Sequence, residues 1–98
     1  MGIRYNQRVG GEKFIEILSI PHRIVTAGTT PVHVGKGNLC RIKGTAGGFV
    51  RFAAEGDSTT PSVTTAETLE TEAGYFFVRA SNDYIIASAD MRCEVTHD

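Results

Sequence analysis

Three histidines, two cysteines and a scatter of carboxylates are the side chains of this 98-residue chain that could hold a metal, attack a carbonyl or move a proton. His22, His33 and His97 form no metal spacing. His22 and His33 are separated by Gly28 and Pro31, and none of the three stands at a zinc-loop distance from a cysteine. Glu70 and Glu72 would share one face of a strand, as a carboxylate pair for acid/base work must. Nothing around them suggests a pocket that would lift one pKa, so they read as solvated charge. Gly44-Thr45-Ala46-Gly47-Gly48 is rich in glycine but lacks the lysine and the following helix that hold a phosphate, so it reads as a turn. Arg41, Lys43 and Arg51, with Phe49 between them, would make a small basic patch across one hairpin. In a chain of net charge −1 and pI near 6.3 that patch is too slight to expect nucleic acid. The expectation is a protein that is not an enzyme and holds no metal or cofactor.

The elements that position these residues are strands. Leu39-Cys40-Arg41-Ile42-Lys43 alternates, with Cys40 and Ile42 on one face and Arg41 and Lys43 on the other. The glycine-rich turn and Phe49-Val50-Arg51-Phe52-Ala53-Ala54 follow, and the spacing predicts a β-hairpin. Residues 55–66 are small and polar and predict a long loop, a candidate partner-facing element. Residues 67–71 predict a short strand or turn. Three further strands, at residues 75–80, 84–88 and 91–96, predict an antiparallel meander.

Upstream, strands are predicted at residues 13–18, 23–26 and 32–34, punctuated by Pro21, Gly28, Pro31, Gly35 and Gly37. Residues 1–12 hold few apolar groups and predict an arm before a domain at residues 13–98. Seven or eight strands at this spacing, with no helix beyond one turn, predict one antiparallel β-sandwich, immunoglobulin-like or jelly-roll-like, or a small barrel. The predicted core includes Phe52, Phe76, Val78, Ile85, Cys93 and Val95. Cys40 keeps phase with Ile42, and Cys93 with Met91 and Val95, so both read as buried thiols. A disulfide between them needs a geometry that spacing alone does not supply.

Tyr75, Phe77 and Arg79 point away from Phe76 and Val78, so both faces of that strand are expected to be covered, one by the core and one by a partner subunit. The arm residues Ile3, Arg4, Tyr5 and Arg8 are the other candidate contacts. Charge is uneven: residues 1–54 hold eight Lys/Arg against Glu12 and Glu16, whereas residues 55–78 hold five acids and no base. Such a chain could dock on copies of itself or on a charged scaffold. No apolar run spans a membrane and no secretory h-region is visible, so the expected site of synthesis is a cytoplasm.

Residues 39–98 resemble small virion proteins of tailed bacteriophages. The matching frame is Gly47-Gly48-Phe49-Val50-Arg51-Phe52, a variable loop, Tyr75-Phe76-Phe77-Val78, then Asp83-Tyr84-Ile85-Ile86 and Glu94-Val95-Thr96. The resemblance implies a compact β-sandwich that decorates or cements a capsid, often as a homotrimer at lattice symmetry points. The implied partners are the major capsid protein and further copies of the chain, with no nucleic acid and no membrane. The implied location is the capsid surface of the virion, after assembly in the host cytoplasm. The alternatives are a head–tail adaptor, a fibre-associated module, or a small binding domain, for example for glycans. The absence of Trp counts against the last.

Overall fold

The computed structural model describes residues 23–96. The predicted arm at 1–12, the strand at 13–18, and His22 and His97 lie outside the described residues. Within them are eight strands and no helix: β1 Arg23–Ala27, β2 Val32–His33, β3 Leu39–Gly44, β4 Gly48–Ala53, β5 Leu69–Thr71, β6 Gly74–Arg79, β7 Tyr84–Ala87 and β8 Met91–Val95. They form two antiparallel four-stranded sheets, sheet 1 in the order β1-β8-β3-β6 and sheet 2 in the order β2-β7-β4-β5.

The all-β sandwich is therefore as expected, and the strand order resolves its topology. An immunoglobulin sheet combines the first, second, fifth and fourth strands. Here, among the described strands, the first pairs with the eighth, the second with the seventh and the third with the sixth, which is the jelly-roll order.

Two pairing expectations are overturned. The glycine-rich turn does not make a hairpin, because β3 pairs with β6 and β8 while β4 pairs with β5 and β7. The turn is an arch that carries the chain from one sheet to the other. The C-terminal meander is likewise absent: β6 and β8 belong to sheet 1 and β7 to sheet 2. Alternation tells which side of a strand is buried, but a strand can bury that side from either sheet.

The arch depends on two of its glycines, one for its conformation and one for a close approach. Gly47 takes a φ of +73°, the left-handed region glycine enters without strain. At Gly44 a Cβ would lie 2.6 Å from the Glu72 carbonyl oxygen, so the arch can nest against the β5–β6 connection only with glycine there. The Thr71 hydroxyl donates to the Thr45 carbonyl at 2.6 Å and joins the two connections.

The core lies between the sheets. Cys40 and Ile42 of β3, Val50 and Phe52 of β4, Ile85 and Ala87 of β7, and Met91, Cys93 and Val95 of β8 form one buried cluster. Each fully buried aliphatic contributes about 1.5–3 kcal/mol. Of the expected core residues, Phe52, Ile85, Cys93 and Val95 are buried. Phe76 and Val78 point inward but remain half-buried, because β6 is the edge of its sheet. Cys40 and Cys93 are buried on adjacent strands, two residues out of register. The proximity of Cys40 and burial push the Cys93 thiol far up from its ordinary value.

Candidate interaction surface

The two outer faces of the sandwich are built differently. On sheet 1, inward Val25, Cys93, Ile42 and Phe76 leave their strand neighbours facing out: Ile24, Glu94, Arg41 and Phe77. The register lines these four up in one row across the sheet, Ile24 opposite Glu94, Glu94 opposite Arg41 and Arg41 opposite Phe77. Thr26, Arg92, Lys43 and Tyr75 occupy the outward positions to one side of the row, and Leu39 and Arg79 those to the other.

Glu94 anchors this face. One carboxylate oxygen accepts from Arg41 Nη1 at 3.1 Å and the other from Arg92 Nε at 2.9 Å. Its side chain is only 6% exposed although it points out of the sandwich, whereas Arg41 and Arg92 are 32% and 50% exposed. The buried anion therefore draws two half-exposed cations flat across the sheet. Arg41 continues the chain of contacts, with its guanidinium carbon 3.8 Å from the centroid of the Tyr75 ring, and Lys43 Nζ lies 5.9 Å from the same ring. Among the described residues, the cations Arg41, Lys43 and Arg92 stand here with the carboxylate of Glu94. Ile24, Tyr75 and Phe77 are each about half exposed among them.

On sheet 2 two central outward residues are buried. Ile86 and Ala53 point away from the core cluster, yet are 0% and 1% exposed. Arg51, the register partner of Ile86, explains the cover. Its Nη2 donates to Asp57 Oδ2 at 2.9 Å and its Nη1 to the Thr59 carbonyl at 3.2 Å, while the Thr59 amide donates to Asp57 Oδ1 at 3.0 Å. The long loop is thus tied back over its own sheet, and Pro61 within it is fully buried. The Arg51 guanidinium, followed by the Thr59 contacts, holds the Asp57 carboxyl down at about 2. At the other end of the face, His33 stacks edge-on against Tyr84 with centroids 5.3 Å apart.

Several expectations change with this geometry. The Arg41, Lys43 and Arg51 patch is not assembled, because Arg51 faces out from the opposite sheet. The loop expected to face a partner is instead anchored to its own sheet at residues 57–61, and only its remainder, including Val63 at 81% exposure, projects. Tyr75, Phe77 and Arg79 do share one outward face, with Tyr75 and Phe77 about half exposed and Arg79 donating to the Gly37 carbonyl. Ile3, Arg4, Tyr5 and Arg8 lie outside the described residues.

Glu70 and Glu72 are exposed beside an open cleft of about 400 Å³ between β5 and β6, whose other walls include Leu69, Tyr75 and Phe76. Among the described residues no three His, Cys, Asp or Glu converge to hold a metal, and no helix is long and apolar enough to cross a membrane. Glu94 was missed as an anchor, although its same-face spacing to Arg92 was visible. The Arg51–Asp57 tie had no signal, since a loop's return path is not written in periodicity.

Comparison with protein-family models, with curated proteins and with solved structures finds no match for this chain.

Proposed function

We propose that the chain is a structural virion protein of the capsid decoration or cement type, docking on the lattice of the major capsid protein through the outer face of sheet 1. One observation supports this most: the protein ties its own loop to the centre of the outer face of sheet 2 and leaves sheet 1, among the described residues, with three half-exposed apolar side chains among the cations Arg41, Lys43 and Arg92. Surplus exposed aromatic and Arg surface is what a contact face presents. The sign of the charge calls for an acidic docking surface. A repeating shell binds many copies, so a modest contact per copy suffices. The trimer at a lattice symmetry point remains the assembly that the resemblance to phage virion proteins implies. No catalytic step is assigned.

The glycan-binding alternative is weaker here. Its natural platform is the exposed Tyr75 ring, and Arg41 already lies over one face of that ring. The adaptor and fibre alternatives differ from decoration in copy number. Quantitative mass spectrometry of purified virions carrying the gene tests the proposal directly. On the order of hundreds of copies per particle supports decoration. A dozen or fewer indicates an adaptor or fibre part, and absence from the particle rejects the virion reading.

The face is tested by Lys43→Glu, which reverses one exposed charge on it. Cosedimentation of this variant with particles stripped of the protein should be weaker than for the native chain. Native binding should itself weaken as salt rises. Equal binding by both proteins would remove the face from the proposal.

A further inference from the structure

We infer that Arg41, Lys43 and Arg92 form a carboxylate-binding clamp at the centre of the outer face of sheet 1, held in position by the buried Glu94, and that its ligand is an aspartate or glutamate side chain on the partner protein. The clamp deepens the proposed function and rests on its choice of face.

The register brings the three cations together. Arg41 of β3 stands opposite Glu94 of β8, and Ile42 opposite Cys93. One step further along the two strands, Lys43 and Arg92 come side by side on the outer face, with Tyr75 and Thr26 as their other neighbours. Like charges opposite one another on adjacent strands repel. Here each leans on a different support. Arg92 turns its Nε to Glu94 at 2.9 Å, and Lys43 Nζ lies 5.9 Å from the centroid of the Tyr75 ring. An anion received between the two cations converts that repulsion into two attractions.

Glu94 sets the aim of both arginines. Its side chain is 6% exposed, so its two oxygens lie at fixed points beneath the guanidinium groups. It engages one donor of each arginine, Nη1 of Arg41 and Nε of Arg92. A guanidinium carries several donors, all in its own plane. Arg41 is held a second time by the Tyr75 ring, 3.8 Å from its guanidinium carbon. Stacking uses the face of the guanidinium and leaves its edge for further hydrogen bonds. Two donor forks are thus oriented before a partner arrives, which lowers the ordering cost of binding. Such forks match the two oxygens of a carboxylate. The half-exposed Ile24, Tyr75 and Phe77 around them suit a protein surface as its carrier.

Orientation and simple charge make opposite predictions for Glu94→Gln. The substitution removes a negative charge, so charge alone predicts tighter binding of an acidic ligand. The clamp predicts weaker binding, because both arginines lose the group that aims them.

The full chain is titrated at low salt with a hexaglutamate peptide and followed by NMR of its backbone amides and arginine Nε groups. The native protein should show saturable shifts concentrated at Arg41, Lys43, Arg92 and Glu94. Glu94→Gln should raise the dissociation constant about threefold or more. Arg92→Lys, which keeps the charge and loses the fork, should do the same. Amide shifts on sheet 2 check that both variants keep the fold. Equal or tighter binding by either variant, shifts centred on other residues, or tighter binding of inorganic phosphate than of the peptide overturns the inference. The particle count tests the virion reading and this titration tests the clamp, so either can fail without the other.

Discussion

Arg41 and Glu94 stand directly opposite each other on β3 and β8, and their 3.1 Å contact ties a buried anion to the cation that covers Tyr75. Both partners of Glu94 are partly in water, so Glu94→Gln exposes them without stranding a buried charge. The expected cost in urea unfolding is about 1–2 kcal/mol, well below the 3–5 kcal/mol of a fully buried pair broken on one side. Arg92→Ala, at the more exposed partner, should cost less than about 1 kcal/mol.

The loop over sheet 2 should loosen in acid. Asp57 is held at about 2, below its ordinary value, so its anchoring is complete above the usual carboxylate range and is lost as the pH falls through about 2. Amide exchange at residues 57–61 should accelerate over that interval. Asp57→Asn should reproduce the acceleration at neutral pH. Unchanged exchange in the variant would mean that Arg51 does not hold the loop.

Core truncations should rank by burial. Ile85→Ala removes a fully buried side chain and should cost about 2–5 kcal/mol. Phe76→Ala, at the half-buried edge, should cost roughly half of the 3–5 kcal/mol typical of a buried phenylalanine. Chemical denaturation of the two variants side by side checks the order.

Two glycines of the arch should fail for different reasons. Gly47→Ala meets no atom but must enter the left-handed region, at a cost of about 1–2 kcal/mol. Gly44→Ala drives a Cβ against a backbone carbonyl that no rotamer change can move, so it should destabilise more. Thermal melts of both variants test the order.

The strands were legible because Arg41 and Lys43 alternate with Cys40 and Ile42, and Arg92 and Glu94 with Met91, Cys93 and Val95. The outward set Tyr75, Phe77 and Arg79 followed from the same period. Strand partners were not legible. A glycine-rich turn such as residues 44–48 reverses a chain equally well within a sheet or between sheets, and only packing against Thr71 and Glu72 decides. The run Tyr84-Ile85-Ile86-Ala87 did carry a clue: apolar residues on both phases signal a strand covered twice, by the core and by the anchored loop. The burial of Glu94 required knowing that β3 lies beside β8, a contact between residues far apart in sequence.

The position of β8 has a consequence for how the protein is made. Five of the six strand pairings join strands that are not consecutive in the chain, and β8, after all the other described strands, lies between β1 and β3. At a synthesis rate of roughly 5–20 residues per second, β1 waits several seconds for the strand it pairs with. Local turns cannot nucleate this topology, so folding is slow for the chain's size, in the millisecond-to-second range of all-β proteins. Until residues 91–95 leave the ribosome, β1 and one side of β3 are bare edges. That interval is when the nascent chain is most open to aggregation and most dependent on a chaperone.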